Sequence, residues 1–315
     1  MITVVAYQII HRLTQMSATS LTNLECIQLK RLISISLEED LSIAGDITST
    51  LTIPSDSKST GHFLAKQNGF LSGLEVAQFI FQEIDSALEV KWTMKDGDHI
   101  TESTYFGTVT GNTRSLLIAE RLVLNIMQRM SGIATATAKM VEKINCVHSK
   151  TRLLDTRKTV PGMRFLDKMA VRHGGGLNHR FGLFDMIMIK DNHITAAGGI
   201  RQALDSVLSA SSTEVPIEIE TRTLDEVRQV LEYPTSSARL QRIMLDNMVT
   251  SNGDTSMLKQ ALELINSQFQ TEASGNVTLD TIGEIAKTNV DFVSTGSITH
   301  SVLALDISMK IKQNY

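Results

Sequence analysis

Residues 153–193, LLDTRKTVPGMRFLDKMAVRHGGGLNHRFGLFDMIMIKDNH, join two apolar runs to a dense cluster of positive charge. The basic residues of this stretch are Arg157, Lys158, Arg164, Lys168, Arg172, Arg180 and Lys190, accompanied by His173, His179 and His193. The chain as a whole carries a net charge of −4. Such a cluster in an acidic protein predicts a binding site for an anionic ligand. The alternative is a basic, solvated helix beside a loop.

The two apolar runs belong to a repeating pattern of short strand-like runs and helical stretches. The runs are Arg152–Asp155, Met186–Lys190, Ile217–Glu220, Arg242–Asp246, Glu272–Ser274 and Asp291–Ser294. The helices between them have typical start signals, such as Pro161 after Thr159 and the capping box of Thr223 and Glu226. Repeating βα units of this size predict a parallel sheet, either open or closed into a barrel.

The chain before residue 130 has a different pattern. Residues 24–41 have helical spacing, and Asn68-Gly69 between two strand-like runs predicts a hairpin. Residues 115–130 form a helix with a broad apolar stripe, which Ser131-Gly132 is expected to end. These segments predict a mixed α+β layer. The fold class is therefore α/β: an N-terminal sandwich followed by repeating βα units.

Length and composition restrict the class of protein. The chain has 315 residues, enough for one large domain or two, and its hydrophobic fraction of 42% is ordinary for a globular protein. The net negative charge does not favour non-specific binding of nucleic acid. No apolar run approaches the ~18 residues of a membrane span. Cys26 and Cys146 form no CxxC pair, which fits a reducing compartment.

Residues 1–24 contain no acidic residue and one arginine, Arg12. This composition is compatible with an organelle transit peptide or with a disordered extension. Met16 is an alternative start of translation.

The predicted strands end in charged or hydroxyl residues: Asp155, Lys190, Glu220, Asp246, Ser274 and Ser294. The carboxyl ends of parallel strands lie on one face, where active sites form. Arg157, Lys158 and Lys190 suit carboxylates and phosphates, whereas Glu220 and Asp246 suit Mg²⁺ or sugar hydroxyls.

Two turns near the end of the chain are further candidates for the binding site, and one basic helix is interpreted separately. Ser274-Gly275-Asn276 and Ser294-Thr295-Gly296 follow strands, and glycine there lets backbone N–H groups approach a phosphate. His179 is interpreted as a hydrogen-bond donor, because no metal-ligand spacing is present. Arg164, Lys168 and Arg172 lie four residues apart and are interpreted as a solvated helix face.

Three motifs carry a resemblance to a known family: DTRKTxPGxR at 155–164, GGGxNHR at 174–180 and IKDNH at 189–193. In this respect the chain resembles quinolinate phosphoribosyltransferases, also called nicotinate-nucleotide pyrophosphorylases (carboxylating). Further matching segments extend the likeness over about residues 25–312, and MQRMSGIAT and TEASGNVTL are most similar to plant-type members. Asn276 departs from the glycine of many bacterial members, and Ser297-Ile298 replaces a common Ala-Leu.

The resemblance implies an N-terminal α/β sandwich at 25–130, after an extension at 1–24, and an incomplete α/β barrel at 131–296. Residues 297–315 would pack back on the sandwich. It also implies a homodimer, or a hexamer built from dimers, with shared active sites. Arg121 would reach the neighbouring subunit's substrate.

The resemblance implies the reaction of quinolinate with phosphoribosyl pyrophosphate to give nicotinate mononucleotide, pyrophosphate and CO₂, a step of NAD biosynthesis. The quinolinate carboxylates would meet Arg157, His179, Arg180 and Lys190. The implied catalytic residues are Lys158, Glu220 and Asp246, the last two contacting ribose hydroxyls or Mg²⁺. Thr156 and the turns at 274–276 and 294–296 complete the implied substrate site.

The implied cofactor is Mg²⁺ with phosphoribosyl pyrophosphate, without an organic cofactor, nucleic acid or membrane partner. The expected location is the cytoplasm, with a mitochondrion or plastid as the alternative if residues 1–24 are a transit peptide. Three other functions remain open. Lys190 could form a Schiff base in a lyase, the pocket could sense a phosphosugar without turnover, or the base could be nicotinate.

Overall fold

A computed structural model describes residues 21–209, 214–234 and 237–312. Most of the predicted extension at 1–24 thus lies outside the described residues. The chain divides into two compact units. Of the described residues, the first unit comprises 21–138, 159–175 and 299–312, and the second comprises those within 139–158 and 176–298. The domain boundaries expected from the sequence stay predictions.

The first unit is built on an antiparallel sheet. Its strands are β1 (Lys58–Ala65), β3 (Glu89–Trp92), β5 (Tyr105–Asn112) and β12 (Ile307–Lys312), in the order β12-β1-β5-β3. Two short strands, β2 (Gly69–Phe70) and β4 (His99–Ile100), pair separately. Its helices are α1 (Asn23–Leu41), α2 (Ile47–Thr52), α3 (Leu74–Ile84) and α5 (Arg164–His173), together with α4 (Thr113–Cys146), whose residues from Lys139 onward belong to the second unit.

Aromatic side chains form the core beneath this sheet. The ring centroids of Phe63 and Trp92 lie 4.9 Å apart, and those of Phe63 and Phe106 lie 5.8 Å apart. Phe81 of α3 meets Phe63 edge-on at 6.1 Å. Phe63, Phe81 and Phe106 are each fully buried. Such tilted pairs stabilise the core beyond the burial of their apolar area.

The predicted hairpin at Asn68-Gly69 is wrong. β1 pairs with β12 and β5, whereas β2 pairs with β4. Neither Asn68 nor Gly69 has the positive φ that a two-residue hairpin turn requires. The side-chain carbonyl of Asn68 instead accepts a hydrogen bond of 2.7 Å from the backbone N–H of Glu102.

The predicted helix break at Ser131-Gly132 is also wrong, because α4 continues to Cys146. Ser131 Oγ is 3.0 Å from Ser72 N and 3.1 Å from Ser72 O, so its hydroxyl binds a neighbouring segment. A Cβ atom on Gly132 would lie 2.3 Å from Leu303 O. These two small residues therefore permit close packing against the helix rather than ending it.

The expectation of a solvated face on α5 holds for Arg172, which is exposed, but fails for Lys168. Lys168 is 1% exposed. The helix begins at Arg164, after Pro161, and its residues from Phe165 to Val171 are all buried. The spacing of residues along the sequence could not reveal that Lys168 is buried, because burial of a second face of a helix depends on the elements that pack around it.

The second unit contains the six-stranded parallel sheet that the repeating pattern predicts. Its strands are β6 (Arg152–Leu154), β7 (Ile187–Ile189), β8 (Ile217–Thr221), β9 (Leu240–Asp246), β10 (Gln270–Ser274) and β11 (Phe292–Ser294), in the order β6-β11-β10-β9-β8-β7. The helices are α6 (Asp191–Ala197), α7 (Ile200–Ser209), α8 (Leu224–Leu231), α9 (Ser256–Ile265), α10 (Ile282–Ala286) and α11 (Ser297–His300), which spans the boundary with the first unit.

The sheet is open, because β6 and β7 are its two edges and do not pair with each other. All five residues of β8 are buried, as expected for a strand covered on both faces. Thr223 and Glu226 form the predicted capping box at the start of α8. The mixed α/β fold class is thus confirmed. Among the described residues, no helix has the length and apolarity required to cross a bilayer.

Candidate active site

A cavity of about 550 Å³ opens at the carboxyl ends of the parallel strands in the second unit. Its lining is mainly charged and polar: Thr156, Arg157, Lys158, His179, Arg180, Met188, Lys190, Asp191, Glu220, Arg222, Met244, Asp246, Asn247, Glu272, Ser274, Gly275 and Ser294. Most of these residues lie within a strand of the sheet or directly after it, whereas His179 and Arg180 lie in the segment between α5 and β7. The strand-end pattern in the sequence therefore brought most of its candidate residues to one cavity.

Four candidates lie elsewhere. Asn276 is exposed, and its side-chain amide donates a 2.8 Å hydrogen bond to Val249 O. Thr295 and Gly296 are buried beside the end of β11, where Thr295 N donates to Leu154 O at 3.2 Å. Arg121 is exposed on α4 of the first unit, whereas the cavity is lined by the second unit.

One wall of the cavity is basic. Arg157 and Lys158 follow β6, and the Lys158 backbone N–H donates to Thr156 Oγ1 at 3.0 Å, which makes a tight turn there. Arg180 is held by a 3.2 Å hydrogen bond from its guanidinium to Met186 O. Burial and the nearby Arg157 lower the pKa of Arg180. Two guanidinium groups this close favour an anion with more than one negative oxygen.

Another part of the lining is an alternating network of acids and bases. Lys190 Nζ lies 3.1 Å from Glu220 Oε2. Arg222 contacts three carboxylates at once: Asp191 at 2.8 Å, Asp246 at 3.3 Å and Glu220 at 3.4 Å. The sequence analysis missed Arg222, although its position directly after β8 was a usable signal. Its guanidinium fixes the carboxylates of two neighbouring strands.

The turn after β10 requires its glycine. Gly275 has φ +86°, and a Cβ atom there would lie 2.2 Å from Asn247 Oδ1. Asn276 follows with φ +53°, a left-handed conformation that asparagine tolerates. The turn therefore keeps its shape without the second glycine that many bacterial relatives were expected to have.

A buried cluster supports the basic wall, and the sequence analysis missed three of its members. His179 Nε2 lies 3.0 Å from Glu218 Oε2 and 3.4 Å from Glu272 Oε2. Arg242 lies 2.7 Å from Glu272 Oε2. Both glutamates are 0% exposed. A charged residue inside a buried parallel strand was the available signal for Glu218, Arg242 and Glu272.

The charges of this cluster depend on one another. Burial opposes a charged His179, but Glu272 and Glu218 raise its pKa to about 9. Burial and the adjacent Glu272 raise the pKa of Glu218. Burial would also raise the pKa of Glu272, but His179 and Arg242 lower it to about 2. Glu272 is therefore the firmly ionised member, and protonation of the others belongs to the cluster as a whole.

His179, Glu218 and Glu272 are also the group of described residues with the geometry to hold a metal ion, with ligand atoms within 4.8 Å of one another. The cavity itself offers three kinds of group: paired guanidinium ions, a carboxylate network and a glycine turn. Together they can bind a small dianion beside a polyhydroxylated, phosphorylated molecule. Lys190, the lining residue considered as a nucleophile, is paired with Glu220 at 3.1 Å.

Comparison with known proteins identifies relatives along nearly the whole chain. Residues 46–131 match the family described as quinolinate phosphoribosyl transferase, N-terminal domain, and residues 133–310 match its C-terminal domain. A quinolinate phosphoribosyltransferase [decarboxylating] 2, mitochondrial, of Nicotiana glauca is 53% identical over 291 residues, covering 90% of this chain and 82% of its own. The chloroplastic nicotinate-nucleotide pyrophosphorylase [carboxylating] of Arabidopsis thaliana has the same identity and coverage.

Solved structures agree with these sequence relatives. NadC from Streptococcus pyogenes has a TM-score of 0.85 at 34% identity, covering 94% of this chain and all of its own. The nicotinate-nucleotide pyrophosphorylase from Francisella tularensis has a TM-score of 0.83 at 35% identity, covering 95% of this chain and all of its own. The likeness therefore extends over both units.

Proposed function

The chain belongs to the quinolinate phosphoribosyltransferase family, and on that premise we propose that it converts quinolinate and phosphoribosyl pyrophosphate into nicotinate mononucleotide, pyrophosphate and CO₂. This pentosyl transfer supplies NAD biosynthesis. The observation that carries the proposal is that one cavity is lined both by two guanidinium groups and by a network of carboxylates. Its two kinds of surface match an aromatic dicarboxylate and a ribose phosphate.

Arg157, Arg180 and Lys190 bind the quinolinate carboxylates in this proposal, with His179 behind them. Arg forks suit carboxylates bidentately, which would orient the pyridine ring in the cavity. Lys158 is exposed at the rim, where it offsets the charge of the departing pyrophosphate. Ser274, Gly275 and Ser294 also line the cavity, and in this proposal they hold the 5′-phosphate.

In the proposed reaction, the pyridine nitrogen attacks ribose C1 as the bond from C1 to pyrophosphate breaks. Glu220 and Asp246 hydrogen-bond the ribose hydroxyls and stabilise the cation-like sugar. The pyridinium ring then takes up the electron pair of the 2-carboxylate as CO₂ leaves, and a proton adds at C2. The protein supplies orientation and fixed charge, so the step needs no covalent intermediate.

Mg²⁺ remains a proposed cofactor that enters with phosphoribosyl pyrophosphate, whose phosphate oxygens suit it. Its chemistry when bound is to neutralise charge on pyrophosphate. Glu220 and Asp246 do not fit a role as direct ligands in the described geometry. Their oxygens already face Lys190 and Arg222 at 3.1–3.4 Å. Ribose hydroxyls fit these carboxylates better, since they require no exchange of partner.

A shared active site in a homodimer, or in a hexamer of dimers, is proposed as well. Arg121 on α4 is exposed and free to face a second copy of the chain. Apolar side chains near the N-terminus of the first unit support such a contact: Ile35 is 64% exposed, Ile43 is 102% exposed and Leu51 is 79% exposed. Exposed apolar groups of this kind are typical of interfaces.

For the location we propose an organelle over the expected cytoplasm, because the Nicotiana glauca and Arabidopsis thaliana relatives are described as mitochondrial and chloroplastic. Fusing residues 1–24 to a fluorescent protein tests this. Signal in mitochondria or plastids supports the proposal, and diffuse cytoplasmic signal contradicts it.

The Schiff-base alternative is disfavoured, because Lys190 Nζ is engaged in an ion pair with Glu220 at 3.1 Å and is not directed alone into the cavity. One assay tests the main proposal. The protein is incubated with quinolinate, phosphoribosyl pyrophosphate and Mg²⁺, and CO₂ release is measured together with nicotinate mononucleotide. We expect both products in equal amounts. Turnover of nicotinate but not quinolinate, or binding without turnover, contradicts the proposal.

A further inference from the structure

His179 is held by the protein at both ring nitrogens. On one side, Nε2 faces Glu218 Oε2 at 3.0 Å and Glu272 Oε2 at 3.4 Å. On the other side, the backbone N–H of Arg180 donates to Nδ1 at 2.6 Å. The residue is 8% exposed and lines the cavity. Its hydrogen-bonding groups are directed into the protein.

We propose that Glu218 and Glu272 are positioning residues of the quinolinate pocket, which act by fixing the His179 ring and, through its Nδ1 atom, the backbone at Arg180. This inference rests on the proposed function, which supplies the substrate. It gives a role to two buried acids that the mechanism does not use. In this arrangement His179 sets the direction of the Arg180 guanidinium rather than donating to the substrate itself.

The strand order makes the network rigid. Glu218 lies on β8 and Glu272 on β10, and β9 between them carries Arg242. Arg242 is 2.7 Å from Glu272 and 4.0 Å from Glu218, and its guanidinium lies 4.1 Å from the centre of the Phe292 ring. Three adjacent strands thus hold the charges that face His179. Positioning side chains on strands is more accurate than positioning them on loops.

The segment before His179 anchors the same region. Asp155, which is 0% exposed, accepts from His179 N at 2.8 Å and from Asn178 Nδ2 at 2.6 Å. The charged groups around the ring are therefore Glu218, Glu272 and Arg242 from the sheet and Asp155 and Arg180 beside it. Nδ1 of His179 accepts a hydrogen bond from the Arg180 N–H, so a proton on Nδ1 would be unfavourable. The extra proton of the cluster is therefore shared between Nε2 of His179 and Glu218, whose pKa is raised by burial and by Glu272.

A metal ion is the competing occupant of this cluster. The separations of 3.0 Å and 3.4 Å between its ligand atoms suit a shared proton and equally suit neighbouring ligands of one metal ion, so the charge of the surroundings decides between the two. The guanidinium of Arg242 against Glu272 repels a cation. The test includes metal analysis of the purified protein for this reason.

The experiment compares Glu218→Gln and Glu272→Gln with Glu263→Gln in the full-length protein. Glu263 is exposed on α9, so its variant makes the same chemical change outside the cluster. The KM values for quinolinate and phosphoribosyl pyrophosphate are measured separately, with thermal unfolding as the check on folding. Glu218→Gln retains the Arg242–Glu272 ion pair, so it carries the test if Glu272→Gln fails to fold.

We expect the cluster variants to raise the KM for quinolinate roughly tenfold to a hundredfold, because a displaced Arg180 misdirects the carboxylate contact. The KM for phosphoribosyl pyrophosphate should stay near that of the wild type. Equal increases in both KM values, or no increase in either, overturn the proposal. So does a divalent metal present at one equivalent in the wild type and lost from Glu218→Gln.

A second measurement does not depend on turnover. Imidazole ¹⁵N NMR of His179, assigned with a His179→Gln sample, reports which ring nitrogen carries the proton. We expect the wild type to hold the proton on Nε2 and Glu218→Gln to mix the two tautomers. An unchanged His179 spectrum in both cluster variants contradicts the network, even if quinolinate proves not to be the substrate. Failure of quinolinate turnover in the wild type, with an altered spectrum in the variants, contradicts only the proposed function.

Discussion

Lys190 Nζ lies 3.1 Å from Glu220 Oε2 across two neighbouring parallel strands. The two side chains face each other because Ile189 of β7 pairs with Ile219 of β8, one residue before each of them. The cation and the anion therefore neutralise each other before any substrate arrives. Each also holds the other at the mouth of the cavity, where a dicarboxylate and a ribose are proposed to meet.

Lys190→Ala is expected to abolish detectable quinolinate turnover while the fold survives. Loss of one charge pairing that the bound substrate buries costs ~2–5 kcal/mol of binding. Glu220 retains Arg222 at 3.4 Å, so its carboxylate is not left alone. Steady-state kinetics and circular dichroism check the outcome, with Lys259→Ala on the exposed face of α9 as the control. Full activity of the Lys190→Ala variant would contradict the assignment of Lys190 to the quinolinate pocket.

Mixing Arg121→Ala with Lys190→Ala subunits should restore activity if Arg121 acts across the dimer. Each mixed dimer then has one intact site, so random exchange gives about a quarter of the wild-type activity. The control mixes Lys190→Ala with Glu220→Gln, which leaves no intact site in any dimer. If the first mixture recovers no activity although its subunits are shown to have exchanged, Arg121 does not act across the dimer.

Gly275→Ala is expected to raise the KM for phosphoribosyl pyrophosphate more than the KM for quinolinate. Its Cβ atom would lie 2.2 Å from Asn247 Oδ1 at a φ of +86°, so the turn that faces the phosphate must shift. Gly283→Ala is the control, since a Cβ atom there meets nothing within 4 Å and α10 tolerates alanine. If the two alanine variants had the same KM for phosphoribosyl pyrophosphate, the turn at Gly275 would not take part in binding the phosphate.

Arg129→Met should destabilise the first unit by ~3–5 kcal/mol, because it leaves a buried carboxylate without its ion pair. Arg129 binds Asp167 through two hydrogen bonds of 2.8 and 2.9 Å, and Asp167 is 0% exposed. Arg228→Met removes the exposed pair with Asp225 and should cost only ~0–1 kcal/mol. Urea unfolding measures the free energy of unfolding of both variants. Similar decreases in the two variants would contradict the expectation that the buried ion pair contributes more than the exposed one.

The stability that His179 contributes should decline at alkaline pH. The proton that His179 shares with Glu218 has its pKa raised from 6.5 for the imidazole in the unfolded chain to about 9 in the folded protein, so binding of this proton favours the folded state. The contribution is complete below about pH 6.5 and is lost as the pH rises through about 9. The difference in free energy of unfolding between wild type and His179→Gln should therefore narrow across this range. A difference that is constant or that widens contradicts the raised pKa.

Sequence patterns alone predicted the parallel sheet and most of the cavity lining. They could do so because parallel strands present their carboxyl ends on one edge, so Lys190, Glu220, Asp246 and Ser274 had to converge once the strands were recognised. The resemblance in three short motifs then indicated which anions the basic wall binds. Local patterns misled where small residues had a packing role, as at Ser131-Gly132 in α4.

Only the tertiary structure decided which strands are neighbours. The order β10-β9-β8 sets Glu272, Arg242 and Glu218 side by side around His179, although these residues are far apart in the sequence. It likewise buried Lys168 and brought Arg222 to three carboxylates. Spacing along a chain specifies which face of an element a residue occupies, whereas its burial and ion-pair partners depend on long-range pairing of that element with others.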